Sequence, residues 1–157
     1  MKKAIVLLVL VGTVGMIRAG AQSKTTNGAD YTTAAGLRLG YPFGVTVKHF
    51  IAPQGSVEGI LGFWYGGINL TGLYEYHMDL SDVSGLKWFI GGGLDFTSWN
   101  HGGYKGGAAA IDGIVGLDYK IAQAPIDLSL DWKPAVYFAG VSGFYGSGGA
   151  ISVRYTF

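Results

Sequence analysis

Residues 116–134 read GLDYKIAQAPIDLSLDWKP. Before Gln123-Ala124-Pro125, the apolar Leu117, Tyr119 and Ile121 alternate with Asp118 and Lys120; after it, Ile126, Leu128, Leu130 and Trp132 alternate with Asp127, Ser129, Asp131 and Lys133. A period of two is that of a β-strand, whose successive side chains point to opposite faces, so each arm has one apolar and one ionised flank. A proline-containing break between two such arms predicts an antiparallel pair.

The same reading extends over the chain from residue 31 and predicts eight strands. The first covers residues 31–41, with Ala35, Leu37, Leu39 and Tyr41 opposite Arg38, and the second 43–51, with Phe43, Val45, Val47 and Ile51 opposite Thr46 and Lys48. The third, 57–65, opposes Val57, Leu61, Phe63 and Tyr65 to Glu58, and the fourth opposes Ile68, Leu70, Tyr74 and Tyr76 to Asn69, Thr71, Glu75 and His77. Residues 86–98 set Trp88, Ile90, Leu94 and Phe96 against Lys87, Asp95 and Thr97; residues 108–121 set Ile111, Val115 and Leu117 against Asp112, Asp118 and Lys120. Residues 126–138 form the seventh, and the eighth closes with Ile151, Val153, Tyr155 and Phe157 against Ser152, Arg154 and Thr156. Arg38, Lys48, Glu58, Glu75, Lys87, Asp95, Asp112, Asp118, Lys120, Asp127, Asp131, Lys133 and Arg154 all share the face opposite the apolar one. After each strand has been given its free choice of face, that agreement has about one chance in 32 of arising at random.

Composition decides where the apolar face points. Charged residues make up 13% of the 157-residue chain and apolar ones 49%, against roughly 25% charged in ordinary soluble domains. A water-facing surface would be short of charge, which predicts that lipid covers the apolar face and that the charges line a lumen. Strands of about 9–11 residues are the length a tilted membrane strand requires. A net charge of +1 without a basic cluster speaks against nucleic acid as a partner. The absence of cysteine excludes disulfides, thiolate catalysis and cysteine-ligated zinc.

Residues 1–21 read as a secretory signal peptide: Lys2 and Lys3, an apolar run over 4–17, then Ala19-Gly20-Ala21. The run is too short for the roughly 20 residues of a spanning helix. Residues 22–30 read as a flexible polar arm, and residues 31–157 as an eight-stranded antiparallel up-and-down transmembrane β-barrel. If strand one leaves the periplasm, the connections at 53–55, 79–85 and 123–125 are periplasmic, while the glycine-rich stretches 99–107 and 140–148 become two long extracellular loops. Outward aromatics then sort into two belts, Tyr41, Phe43, Phe63, Tyr65, Phe96 and Phe138 above, and Tyr74, Tyr76, Trp88, Tyr119, Tyr155 and Phe157 below; Trp132 fits neither. Pro134, which cannot donate to a ladder, should mark a bulge or the upper end of strand seven.

With these residues in hand, the chain resembles the eight-stranded outer-membrane barrels of the OmpX and OmpA-barrel type, and most closely the small barrels of Bacteroidetes-type bacteria. The resemblance rests on residues 116–134 and on the tail GAISVRYTF, residues 149–157. It implies that Tyr155 and Phe157 form the signal read by the barrel-assembly machinery, although Ser152 stands where the family's inner glycine is usual. The expected partners are that machinery and outer-membrane lipid, with the extracellular ligand unknown. The thirteen charges, six positive and seven negative, predict a salt-bridged plug rather than a pore of one sign. Inward glycines at 36, 40, 44, 62, 91, 93 and 116 would leave a cavity or make room for Phe50, Phe89 and Tyr137.

The expected function is non-catalytic, structural or adhesive, with Trp99, Tyr104, Phe144 and Tyr145 as loop contacts. A narrow conduit for small hydrophobic molecules is the alternative. Some barrels of this class modify lipid A, for which Ser98, His101 and Asp95 are the candidates here, but their spacing matches neither known pattern. His49 and His77 lack the companions of a metal site, the glycine clusters lack a phosphate loop's GK[ST] ending, and no cofactor is implied.

Overall fold

The computed structural model describes residues 31–64, 66–80 and 82–157. The signal peptide, the arm and Tyr65 of the upper belt lie outside the described residues. Ten ladder segments are formed: β1 (Thr33–Tyr41), β2 (Phe43–Phe50), β3 (Gly55–Trp64), β4 (Gly67–Asp79), β5 (Leu86–His101), β6 (Tyr104–Lys120), β7 (Ile126–Trp132), β8 (Ala135–Ala139), β9 (Gly143–Tyr145) and β10 (Gly149–Thr156). Every neighbouring pair is antiparallel, and β1 closes the circle on β10 with Ala34 opposite Thr156 and Tyr41 opposite Gly149. Closure leaves the barrel wall without a free edge.

The ten segments make eight barrel strands, because β7 with β8, and β9 with β10, are each one strand interrupted. Pro134 causes the first interruption. Its ring nitrogen has no hydrogen to give and its carbonyl faces β6, so the ladder to β6 is interrupted between Trp132 and Ala135, while on the other side the Lys133 amide reaches the Gly148 carbonyl at 2.9 Å. Register against β6 nevertheless runs straight through, from Val115 opposite Trp132 to Asp112 opposite Ala135. The Pro134 carbonyl still accepts from the Gly113 amide at 2.9 Å. Proline therefore interrupts the β6 ladder without shifting its register; the bulge itself lies higher, between Ala109 and Ala110.

At the end where β1 begins and β10 finishes, turns over residues 51–54, 82–85 and 121–125 join the strands. At the far end the wall is uneven. Pro42 joins β1 directly to β2, whereas β5 and β6 run on to pair His101 with Tyr104. The stretch 99–107, expected to be a long loop, is thus almost wholly strand. Gly102 and Gly103, at φ 59° and 85°, supply the left-handed pair that a two-residue hairpin turn needs. The stretch 140–148 is likewise part strand, since β9 pairs with β8 at Val136–Phe144.

Side-chain direction follows the alternation read from the sequence. The apolar flanks face outward, from Leu37 and Val45 through Leu70, Ile90 and Ile111 to Leu130 and Val153. Arg38, Lys48, Glu75, Asp127 and Arg154 are buried in the lumen. The described belt aromatics are all exposed on the outer surface. Trp132 joins the upper belt, because it is opposite Gly149, which is opposite Tyr41, so all three share one ladder row.

Candidate functional site

Two regions of the interior carry chemistry: an ionic cluster that fills the lumen and a cavity above it at the far end.

Cross-strand register builds much of the cluster. Lys48 is directly opposite Glu58, and Arg154 directly opposite Asp127, so opposite charges meet as neighbours on the inner face. Lys48 Nζ then reaches across the lumen, 2.8 Å from both Glu75 Oε2 and Asp118 Oδ2 and 4.4 Å from the centre of the Phe89 ring. Arg154 donates to Asp127 Oδ2 at 2.8 Å and to Glu58 Oε1 at 2.9 Å, and the Thr46 hydroxyl also donates to Glu58. His77, on the polar flank of its strand, is interior: Nε2 lies 3.0 Å from Ser56 Oγ, and its ring stacks on Phe89. Nearer the far end, Arg38 grips Asp131 through two parallel bonds of 2.5 and 2.7 Å. Such bidentate pairing suits a guanidinium removed from water.

Gly116 makes the lumen wide enough for Phe89, since a Cβ there would come within 2.6 Å of the Phe89 Cζ. Phe89 forms a small apolar cluster with Ile60, Leu73 and Ile114 on the otherwise polar inner face. The last three follow from alternation alone but had not been singled out, because charge had drawn attention to their neighbours.

Two of the expected lumen charges sit differently from the rest. Lys120 is half-buried at the terminal end and donates to the backbone carbonyls of Ile121 and Ala124 at 2.8 and 2.7 Å. It is the last residue of β6, so it caps the adjoining turn rather than joining the buried cluster. Lys87 lies 3.3 Å from Asp79 at the same end.

At the far end a cavity of about 350 Å3 opens between the tall hairpins. Its walls include Tyr41, Trp64, Trp99, His101, Tyr137 and Tyr145, and its floor Asn69, Asp95, Thr97 and Lys133. Asp95 is held by neutral donors: Asn69 Nδ2 at 2.6 Å and Thr71 Oγ1 at 3.0 Å to Oδ2, and Thr97 Oγ1 at 2.9 Å to Oδ1. Lys133 bonds Asp112 and stands 3.4 Å from Asp95 Oδ2. One step inward along β7 lies Asp131 with Arg38, so the cavity ends on paired, buried charge. A hollow at the terminal end, near Tyr31, Phe50 and His77, holds only about 10 Å3.

Of the four residues expected as loop contacts, Trp99 and Tyr145 come together around this cavity, while Tyr104 and Phe144 stand outside it, 81% and 67% exposed. Trp99 lies over Gly106 across the hairpin, where a Cβ would fall 2.4 Å from its ring. Tyr145 meets Tyr137 edge-on, ring centres 5.3 Å apart. The candidates Ser98, His101 and Asp95 are not assembled, because Ser98 is on the outer face of β5 and the other two are on the inner face. Asn69 and Thr71, a formal glycosylation sequon, both point into the lumen toward Asp95. Tyr155 and Phe157 are exposed on the outside with their rings 5.2 Å apart, and Ser152 is buried inside. No group of three His, Asp or Glu side chains among the described residues is arranged to hold a metal ion.

No protein-family model matches the chain, and no curated protein sequence does. Among solved structures it is similar to the N-terminal β-barrel domain of Pseudomonas aeruginosa OprF, at 13% identity and a TM-score of 0.61, covering 80% of this chain and 95% of that one. At that identity the likeness is one of fold: a closed eight-strand antiparallel barrel.

Proposed function

We propose that this chain is a non-catalytic outer-membrane β-barrel whose ion-paired lumen is closed to solutes and whose far end is its contact surface. One observation carries the reading: a band of apolar side chains surrounds the barrel while its carboxylates and amines are buried within. Monomeric soluble proteins rarely expose contiguous apolar surface on that scale, whereas a barrel in lipid requires it. In this reading residues 1–21 are a signal peptide, the bacterium is Gram-negative, the terminal end faces the periplasm and the far end the exterior.

The barrel-assembly machinery takes hold at Tyr155 and Phe157, and the belts of Tyr, Trp and Phe sit at the two lipid interfaces. Contact with other molecules falls to the raised wall of β5, β6, β8 and β9, where Tyr104 and Phe144 are the most exposed aromatics. A structural or adhesive role fits that surface better than catalysis, since Ser98 and Asp95 occupy opposite faces of β5.

The test is to express the full chain with its leader in a Gram-negative host, separate the membranes by density and apply the purified barrel to planar bilayers. The expected result is recovery in the outer-membrane fraction, heat-shifted gel migration and no stepwise conductance. Recovery as a soluble protein without detergent would overturn the membrane reading; conductance steps would overturn the closed lumen.

A further inference from the structure

We propose that the far-end cavity is a binding site for a small organic cation, an ammonium or guanidinium group on a compact apolar body, and that Asp95 receives its charge. This adds a small-molecule site to the contact surface above, and it requires the barrel to be folded rather than its location to be correct.

The walls favour a cation. Trp64, Trp99, Tyr137 and Tyr145 bring four π-systems to one cavity of about 350 Å3, and the negative faces of such rings attract ammonium and guanidinium groups. The cavity falls in the size range of small-molecule sites and has the usual make-up, apolar walls around a few convergent polar groups.

The floor adds a sign. Asp95, Asp112 and Asp131 face Arg38 and Lys133, which leaves the group one negative charge in excess. Arg38 commits two nitrogens to Asp131, and Lys133 is drawn to Asp112. Of the three, Asp95 has the most distant cation, Lys133 at 3.4 Å, and it lines the cavity. Its Oδ2 takes bonds from Asn69 and Thr71 and a longer one, 3.4 Å, from Lys133, whereas Oδ1 takes only the Thr97 hydroxyl and has a lone pair to spare. An incoming N–H donor would complete that oxygen. A carboxylate ligand, by contrast, would compete for an ammonium already set between two aspartates, and a neutral ligand would leave the excess charge unanswered.

Binding can be followed by the fluorescence of the folded barrel in detergent, because Trp64 and Trp99 line the cavity. Three probes of similar shape separate the possibilities: 2-phenylethylammonium, 2-phenylethanol and phenylacetate. The ammonium should bind saturably and about tenfold or more tighter than the alcohol, with phenylacetate weakest. Asp95→Asn should abolish the preference for the cation, with heat-shifted migration reporting that the barrel is intact. Should that variant not fold, Tyr145→Ala, at the exposed rim, carries the test through a severalfold loss of ammonium affinity. Equal binding of the ammonium and the alcohol, tighter binding of phenylacetate, or no saturable response from folded protein would each overturn the proposal. None of these results bears on membrane location, which fractionation tests separately.

Discussion

Arg38 and Asp131 show what a buried charge demands of its surroundings. Both are enclosed, and they sit on β1 and β7 with β10 between them, so the guanidinium spans one intervening strand to reach its carboxylate. Removing one partner leaves the other charged and dry, which typically costs about 3–5 kcal/mol, whereas replacing both with apolar side chains is often near neutral. Asp131→Ala should therefore lower unfolding stability in urea by about that amount, and Arg38→Met with Asp131→Leu should restore most of it. Equal effects of the single and double variants would contradict the pairing. Gly116 poses the opposite problem: Gly116→Val should overpack against the Leu130 carbonyl and the Phe89 ring and cost roughly 1–3 kcal/mol, only partly relieved when Phe89→Leu is added, because the Leu130 backbone stays in place. Alternation in the sequence showed that Arg38, Asp131 and Phe89 point inward. It did not show which charges meet, because partners such as Lys48 and Asp118 are joined across the lumen, where only the barrel's closure brings them into reach.

At the scale of elements, the strands were legible wherever side chains alternate and illegible where glycine replaces them. Residues 99–107 look like a loop because Gly102, Gly103, Gly106 and Gly107 contribute no periodicity, yet the backbone hydrogen-bonds as an extended hairpin. The two residues at its tip are the only ones there that need positive φ. Gly102→Ala with Gly103→Ala should consequently fray the tip, seen as faster amide exchange above Ser98, while heat-shifted migration of the barrel stays unchanged. Loss of the folded band would mean that the hairpin nucleates the whole barrel. Pro134 was legible in kind but not in detail. A missing donor hydrogen predicts a broken ladder, and only the folded strand with its two different neighbours shows that the break falls on the β6 side, where the register is nevertheless kept.

For the whole molecule, the orientation of the two strand flanks determines everything else. On the proposed membrane reading, apolar side chains outward put lipid around the barrel, the charges buried in its lumen satisfy one another, and only the ends remain to meet water. The ionic cluster fills the lumen, and the uneven far-end wall explains why one end has a cavity and the other only a small hollow. Architecture could be read from composition and period. The cavity could not, since its lining is gathered from β1, β3, β4, β5, β6 and the β7–β9 region and no short motif marks it. The chain lacks cysteine, so single cysteines along β4 can carry a nitroxide label without background. In lipid vesicles, labels at Ile68, Leu70 and Tyr74 should collide freely with oxygen dissolved in the acyl chains and not with a water-soluble nickel complex, while labels at Asn69, Thr71 and Glu75 should be shielded from both. Collisions of the nickel complex with the first set, or loss of the period-two pattern, would contradict the lipid-facing orientation.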